Sequence, residues 1–346
     1  MSDTRAVCYV VVGDNYVGAL RYSLRTLRSF YDGNIQIHTD RHYPLLDKLA
    51  ATYTLNIMRH DIVNDFPYQP QCADGLIARE IKTRIMQLCP NELALFLDVD
   101  TLILAPLEEL WESLGHADDI VLGFTNASIT LGAVGESVAH KGDRVTARFR
   151  NEFNYTLDQL GRYCPYYSSS TMLWRRTPAV LDLSARWYNE WRIYAICDML
   201  PLARALADSS VTVSPLPHNY NDRNRCTAHT RIYTVRWNEL AREYDMVKQR
   251  VKRAAAKYHN RAISSQDVVK SISNVPTVVD RVPVEVSTQA QTRKHAPVAV
   301  TAQVAQPTIS SISTAISKLR GNRRVLSTRS RSLSELKTLL WQKKII

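Results

Sequence analysis

The sequence has no apolar run long enough to cross a bilayer, which takes about 20 consecutive apolar residues in a helix. Its first apolar run, Val7 to Val12, is also too short for the core of a secretory signal, so a cytoplasmic chain is expected. The six cysteines, at 8, 72, 89, 164, 197 and 226, include no Cys-x-x-Cys pair. That lack argues against a zinc site or a dithiol redox motif, and scattered cysteines suit a reducing compartment. Residues 262–340 contain no aromatic side chain. They are rich in Ser, Thr, Val, Ala and Gln with scattered prolines, a composition that cannot bury much core and reads as disordered. Acidic residues are scarce in the same region. Residues 241–346 hold 6 Asp+Glu against 20 Lys+Arg, a balance of +14, while residues 1–240 hold 27 against 24, a balance of −3. The net charge of +11 therefore belongs to the tail, and a basic tail implies an anionic partner.

What is present centres on Leu93 to Leu104, an apolar run interrupted by Asp98, Asp100 and Thr101. Pro90-Asn91 before it and Ala105-Pro106 after it mark boundaries, so it reads as one buried strand. In a strand, Asp98 and Asp100 share a face with Val99 opposite. Two carboxylates at a buried strand end repel each other and lose hydration. A hard cation such as Mg²⁺ or Mn²⁺, which prefers oxygen ligands, removes both penalties. A strand ending in a polar turn with two solvated aspartates has the same short signature.

In chain order, Ala6 to Val12 reads as a first buried strand, Gly13-Asp14-Asn15 as a turn and Tyr16 to Phe30 as a helix with Leu20, Leu24, Leu27 and Phe30 on one face. Ile35 to His38 is a second strand. Strand, turn, helix, strand is the opening of a doubly wound α/β sheet, which binds ligands at the carboxyl ends of its strands. Ile77 to Leu88 reads as a helix with Arg79 and Lys82 on one face, where they serve a phosphate ligand or simply meet solvent. Asp198 precedes an apolar helix and suits its N-cap. Trp187, Tyr188 and Trp191 sit at helical spacing, which favours a core stripe. Tyr163, Tyr166 and Tyr167 suit an acceptor surface better. Glu239 to Tyr258 reads as a basic helix.

Three of these stretches, in this order, resemble nucleotide-sugar glycosyltransferases of the GT-A fold, a Rossmann-like doubly wound mixed sheet. They are Gly13-Asp14-Asn15-Tyr16, Ala78-Arg79-Glu80-Ile81-Lys82-Thr83 and Leu95-Phe96-Leu97-Asp98-Val99-Asp100-Thr101. The nearest group is glycosyltransferase family 8, the glycogenin-like and bacterial galactosyltransferase type. Tyr167 to Arg175, Asp198 to Ala203 and Leu216 to Asn221 resemble later segments of the same family. The resemblance implies a hexosyltransferase that moves sugar from a nucleotide-diphosphate donor, a UDP-sugar, with retention, to a saccharide, protein or lipid acceptor. It implies that Asp98 and Asp100 hold Mn²⁺ or Mg²⁺. The third metal ligand would be His229, which has Trp237 eight residues on as the family pattern has, with His218 as the rival. Lys82 and Arg79 would meet phosphate or sugar. Gly13, Asp14, Asn15 and Tyr16 would position the base, Val99 and Asp98 would touch the donor, and Asp198 would lie beside the reacting carbon with Lys82 in the catalytic set. Departures from the family pattern are Ser168-x-Ser170 in place of Asn-x-Gly, Met199 in place of Gln, and Ile232 and Val235 where a glycine and a lysine stand. On this reading Lys82→Ala weakens donor handling and leaves stability nearly unchanged.

Other readings use the same residues differently. Haloacid-dehalogenase-type phosphohydrolases also carry Asp-x-Asp after an apolar strand, but in an Asp-x-Asp-x-Thr pattern, whereas Thr101 follows Asp100 directly. A non-catalytic protein with a degenerate transferase core would bind nucleic acid or membrane through its tail. The expected organisation is a transferase domain over 1–240, a basic helix over 241–260, a disordered linker over 261–332 and an amphipathic basic segment over 333–346. That last segment carries Leu336, Leu339, Leu340 and Trp341 among lysines, which suits an anionic inner-membrane surface better than nucleic acid, since nucleic acid gives an apolar face no role.

Overall fold

Alternation along the first strand places both sides of the core. In β1 (Arg5–Val10), Val7 and Tyr9 enter one cluster of buried side chains, while Ala6 and Cys8 enter another on the opposite face. A strand buried on both faces belongs in the middle of a sheet covered by helices on each side. The computed structural model describes residues 4–61, 73–115, 118–124, 129–141, 146–223, 226–236 and 238–273.

The chain continues with α1 (Asp14–Leu27), β2 (Asn34–Thr39), α2 (Pro44–Tyr53) and β3 (Leu55–Arg59). Then come α3 (Ala73–Thr83), α4 (Ile85–Leu88), β4 (Leu93–Leu97), β5 (Thr101–Ile103), α5 (Glu108–Glu112) and β6 (Ile120–Phe124). Next are α6 (Leu131–Lys141), α7 (Ala147–Leu160), β7 (Tyr167–Arg175), α8 (Pro178–Tyr194) and α9 (Met199–Ala207). The last described elements are β8 (Val213–Pro215), β9 (Ile232–Thr234) and α10 (Leu240–Ser273). Seven strands form one mixed sheet in the order β3-β2-β1-β4-β7-β6-β8, and β5 pairs with β9 in a separate small sheet. β1, β2, β3 and β4 run parallel, whereas β7 runs antiparallel to both β4 and β6. The parallel half is wound outward in both directions from β1, so the carboxyl ends of β1 and β4 open a crevice between them. The doubly wound α/β reading is the observed architecture.

One face of the sheet is covered by α1, α2 and α10, which contribute Leu20, Leu24, Leu46, Val247 and Val251 to the cluster around Val7 and Tyr9. The other is covered by α4, α8 and α9, with Met86, Leu183, Trp187 and Leu202 around Cys8 and Phe96. A third cluster joins Leu131, Val134, Phe153, Tyr166 and Leu200 beside the antiparallel half.

Several boundaries differ from the sequence reading. The helix expected over 77–88 is two helices, broken at Arg84, whose φ of −100° and ψ of 2° leave the helical range. α1 runs from Asp14 to Leu27, starting before the expected Tyr16 and ending short of Phe30. The basic helix does not stop at 260 but runs to Ser273. Its stripe of Tyr244, Val247, Val251 and Tyr258 packs along α1, with Tyr22 and Tyr244 ring centroids 5.3 Å apart and Phe30 and Tyr258 6.3 Å apart. The expected disordered and amphipathic segments beyond that helix lie outside the described residues.

Candidate functional site

The run from Leu93 to Leu104 is not one strand. β4 ends at Leu97, and the chain turns through Asp98-Val99-Asp100 before β5 departs into the small sheet. The turn closes on the Asp98 carbonyl, which accepts from the Thr101 N–H at 3.2 Å and from the Thr101 hydroxyl at 2.7 Å. Its ends are tied elsewhere. The Asp98 N–H donates to the Ser170 carbonyl at 2.9 Å, and the Asp100 carbonyl accepts from the Val235 N–H at 2.8 Å. Shared facing by strand alternation therefore does not apply. Asp98 and Asp100 still meet, because a tight turn brings both to one pocket.

That pocket, of about 280 Å³, lies at the carboxyl ends of β1 and β4 and is lined by Tyr16, Arg79, Lys82, Asp98, Val99, Asp100 and Asp198, among others. Lys82 is at its centre. Its ammonium lies 2.8 Å from Asp98 Oδ1 and 2.7 Å from Asp198 Oδ2, with the Phe96 ring centroid 5.1 Å away. The lysine side chain is 10% exposed, so the bridge between the two carboxylates is shielded from water. Burial penalises its charge, but Asp198 and Asp98 outweigh that and hold its pKa above the ordinary value. Lys82 is the counter-ion of two acidic groups, so its removal bears on stability as well as on ligand handling.

Asp198 stands at the start of α9, yet its carboxylate makes no capping hydrogen bond. Oδ2 accepts instead from the Ser169 hydroxyl at 2.7 Å, and its backbone carbonyl accepts from the Trp187 indole N–H at 2.7 Å. Burial opposes its charge, but the Lys82 ammonium wins and holds the carboxyl well below the usual range. Asp100 has the reverse balance. Burial and the neighbouring Asp98 push its carboxyl up to about 7 in spite of Arg223 and Lys82. Lys82 thus neutralises the half-buried Asp198, while the Asp98–Asp100 pair has only the share of that ammonium held by Asp98 in direct contact, and this pair of oxygen donors fits a hard divalent cation.

Among the described residues, no group of three His, Cys, Asp or Glu side chains is placed to hold a metal ion. His229 is exposed and does not line the pocket, its backbone N–H donating to the Thr227 hydroxyl at 3.3 Å. The structure does not bring it to Asp98 and Asp100. The side chain of His218 and all of Trp237 lie outside the described residues. Asp14 and Asn15 are exposed at the start of α1, and Gly13 is buried before them. Trp187 and Trp191 are fully buried, as a core stripe requires, whereas Tyr163 is 73% exposed. Tyr166 is buried in the third cluster rather than presented to a ligand.

The sequence reading missed Ser169 as the partner of Asp198. It also missed a buried chain in which Ser168 and Ser170 hydroxyls meet at 2.8 Å, Ser170 donates to Asn221 Oδ1 at 2.9 Å, and Asn221 Nδ2 donates to the Phe124 carbonyl at 2.9 Å. The only signal was the departure from Asn-x-Gly: Ser170 replaces a hydrogen with a hydroxymethyl group, whose hydroxyl Asn221 satisfies.

The chain resembles solved glycosyltransferases. The galactosyltransferase LgtC, solved with donor and acceptor sugar analogues, is 14% identical over 69% of this chain and 95% of its own, with a TM-score of 0.45. Mouse xyloside xylosyltransferase 1 is 11% identical over 66% of this chain and 96% of its own, with a TM-score of 0.43. The bifunctional glycosyltransferase WbbM is 13% identical over 72% of this chain and 51% of its own, with a TM-score of 0.45. No family model matches the chain, and no curated protein matches it. No described helix is long and apolar enough to cross a membrane.

Proposed function

We propose that the chain is a glycosyltransferase that takes a hexose from a UDP-sugar and passes it, with retention, to a saccharide, protein or lipid acceptor. The observation that carries this reading is the Lys82 ammonium bridging Asp98 and Asp198 within one pocket that Tyr16, Arg79 and Asp100 also line. A nucleotide diphosphate needs a surface for its base at one end and positive charge for its phosphates at the other, and a sugar needs acceptors for its hydroxyls. Tyr16 offers the first, Arg79 and Lys82 the second, and Asp198 the third.

Mn²⁺ or Mg²⁺ held by Asp98 and Asp100 would supply Lewis-acid neutralisation of the leaving diphosphate. Lys82 holds one oxygen of each carboxylate and so fixes the distance between the phosphate end and the sugar end. Ser169 and the Trp187 indole keep Asp198 in place, where its charge stabilises positive charge developing on the sugar ring. A melting-temperature panel with UDP-, GDP- and dTDP-sugars, with and without Mn²⁺, tests the reading. A UDP-sugar is expected to raise the melting temperature in the presence of Mn²⁺, because a ligand of the folded state stabilises it by mass action. Absence of a shift with every nucleotide sugar would sink it.

For residues 333–346 the reading remains an anionic membrane surface, carried by the apolar positions and lysines of that segment. Co-sedimentation with anionic liposomes should be lost when residues 333–346 are deleted and should be weak with neutral ones. Unchanged sedimentation after deletion, or binding to duplex DNA alone at matched salt, argues for another partner.

A further inference from the structure

The two carboxylates that Lys82 bridges are both held from one irregularity in β7. That strand pairs with β6 from Ile120–Trp174 to Leu122–Met172, and again from Gly123–Ser168 to Phe124–Tyr167. The register slips between Leu122 and Gly123, so Ser169, Ser170 and Thr171 have no partner on β6. Such a bulge re-aims the groups it carries. Here the Ser169 hydroxyl donates to Asp198 Oδ2 at 2.7 Å, and the Ser170 carbonyl accepts from the Asp98 N–H at 2.9 Å. The buried side chain of Asn221 ties the bulge back to β6. Its Oδ1 accepts from the Ser170 hydroxyl at 2.9 Å, and its Nδ2 donates to the Phe124 carbonyl at 2.9 Å. Gly123 leaves the room for this, since a Cβ there would lie 2.7 Å from Asn221 Nδ2. The residue after Asn221 leads to the other end of the aspartate turn. The Asp222 N–H donates to the Ile232 carbonyl at 3.2 Å, and the Asp222 carbonyl accepts from the Thr234 N–H at 2.7 Å. Val235 follows, and its N–H is the one that holds the Asp100 carbonyl.

We propose that Asn221 is a positioning residue of the transfer reaction: tied into the β7 bulge, it fixes Ser169 and Ser170, and through them the places of Asp198 and Asp98 about Lys82. This deepens the glycosyltransferase reading and rests on it. Asn221 touches neither carboxylate and acts through its neighbours. An apolar side chain of the same size would fill the gap, but packing does not set the direction of a backbone carbonyl. Two directional hydrogen bonds from one planar amide do. The Ser170 hydroxyl that Asn221 holds and the Ser170 carbonyl that holds Asp98 belong to one residue, so they move together. Ser169 is next to it, so a shift of the bulge carries the Asp198 contact as well. Misplacing reacting groups by about 1 Å costs on the order of 100-fold in rate. A merely structural role for the amide predicts something else: a lower melting temperature, with the folded molecules working at full rate.

The experiment compares the full-length wild type with Asn221→Ala, Ser170→Ala, the double variant and Gly123→Ala. Gly123→Ala removes no polar group and displaces Asn221 by contact alone, so it carries the test if Asn221→Ala does not fold. Two quantities are read well below every melting temperature. One is kcat and KM for release of UDP from UDP-glucose and UDP-galactose with Mn²⁺. The other is the calorimetric affinity for UDP with Mn²⁺. Asn221→Ala is expected to lower kcat/KM on the order of 100-fold, mostly in kcat, and to weaken UDP about tenfold. Gly123→Ala should move both quantities in the same direction. The double variant should be no worse than Asn221→Ala, because both changes break one bond. Full kcat/KM and full UDP affinity in the folded variants, with only the melting temperature lowered, overturn the positioning role and leave the glycosyltransferase reading standing. Losses that multiply in the double variant overturn the path through Ser170. A wild type that neither binds UDP nor releases it from either sugar brings down the underlying reading, and the positioning role with it.

Discussion

Replacing Lys82 by alanine is expected to lower the stability of the unliganded protein by about 3 kcal/mol and the donor kcat/KM by on the order of 100-fold or more. The stability term comes from what is left behind. Asp98 and Asp198 are 26% and 17% exposed at the side chain, and without the ammonium both carboxylates stay in a partly desolvated pocket with no counter-ion 2.7–2.8 Å away. Removing one partner of a buried pair costs about 3–5 kcal/mol, and the residual exposure of Asp98 places this site at the lower end. Added Mn²⁺ should return part of the loss in the variant, because a divalent ion supplies the missing charge. Urea titration with and without Mn²⁺ measures the first effect and steady-state kinetics the second. A Lys82→Ala protein as stable as the wild type and equally active would remove Lys82 from both roles.

Asp98→Asn and Asp100→Asn are expected to act in opposite directions on stability and in the same direction on activity. Each removes a ligand, so Mn²⁺-dependent donor turnover should fall to background, on the order of 1,000-fold or below. Asp100 is half-buried beside Asp98, and desolvation together with the Asp98 charge disfavours its ionised form, pushing its carboxyl up to about 7. Neutral asparagine relieves that repulsion, so the unliganded Asp100→Asn protein should melt at or above the wild-type temperature. Asp98→Asn loses the 2.8 Å contact with Lys82 and should melt lower. Melting curves of the two variants side by side, with Mn²⁺ titration, check the pattern. Retained Mn²⁺-dependent turnover in either variant would overturn the cation assignment.

The parallel half of the sheet was legible because its signals are local. Apolar strands, a turn rich in Gly, Asp and Asn, and a helix with one apolar face follow each other within Ala6 to His38, and the strands form there. The aspartate run misled for a physical reason. Val99 is apolar and buried, so the composition continues through the turn, whereas the backbone is redirected by hydrogen bonds to the Ser170 carbonyl and from the Val235 N–H, which a local pattern cannot contain. Pocket membership of Tyr16, Arg79, Lys82 and Asp198 was anticipated by family resemblance. The Lys82 bridge itself was not, since it joins residues distant in sequence. Charge obscured α10 in the same way. Its lysines and arginines drew attention to a tail, while Val247 and Val251 on the other side of the helix belong to the core.

The turn that carries the two carboxylates has its N–H end fastened to Ser170 and its carbonyl end to Val235. Both fasteners are synthesised long after the turn itself. A growing chain that has emerged only as far as β4 and α5 therefore carries Asp98 and Asp100 in a turn closed only by its own Thr101 bonds, with both outer ends still loose. The turn should be fixed in one step, when the strand before α10 is in place. Fragments ending before Val235 then lack one anchor of the turn, however much of the parallel sheet they have formed.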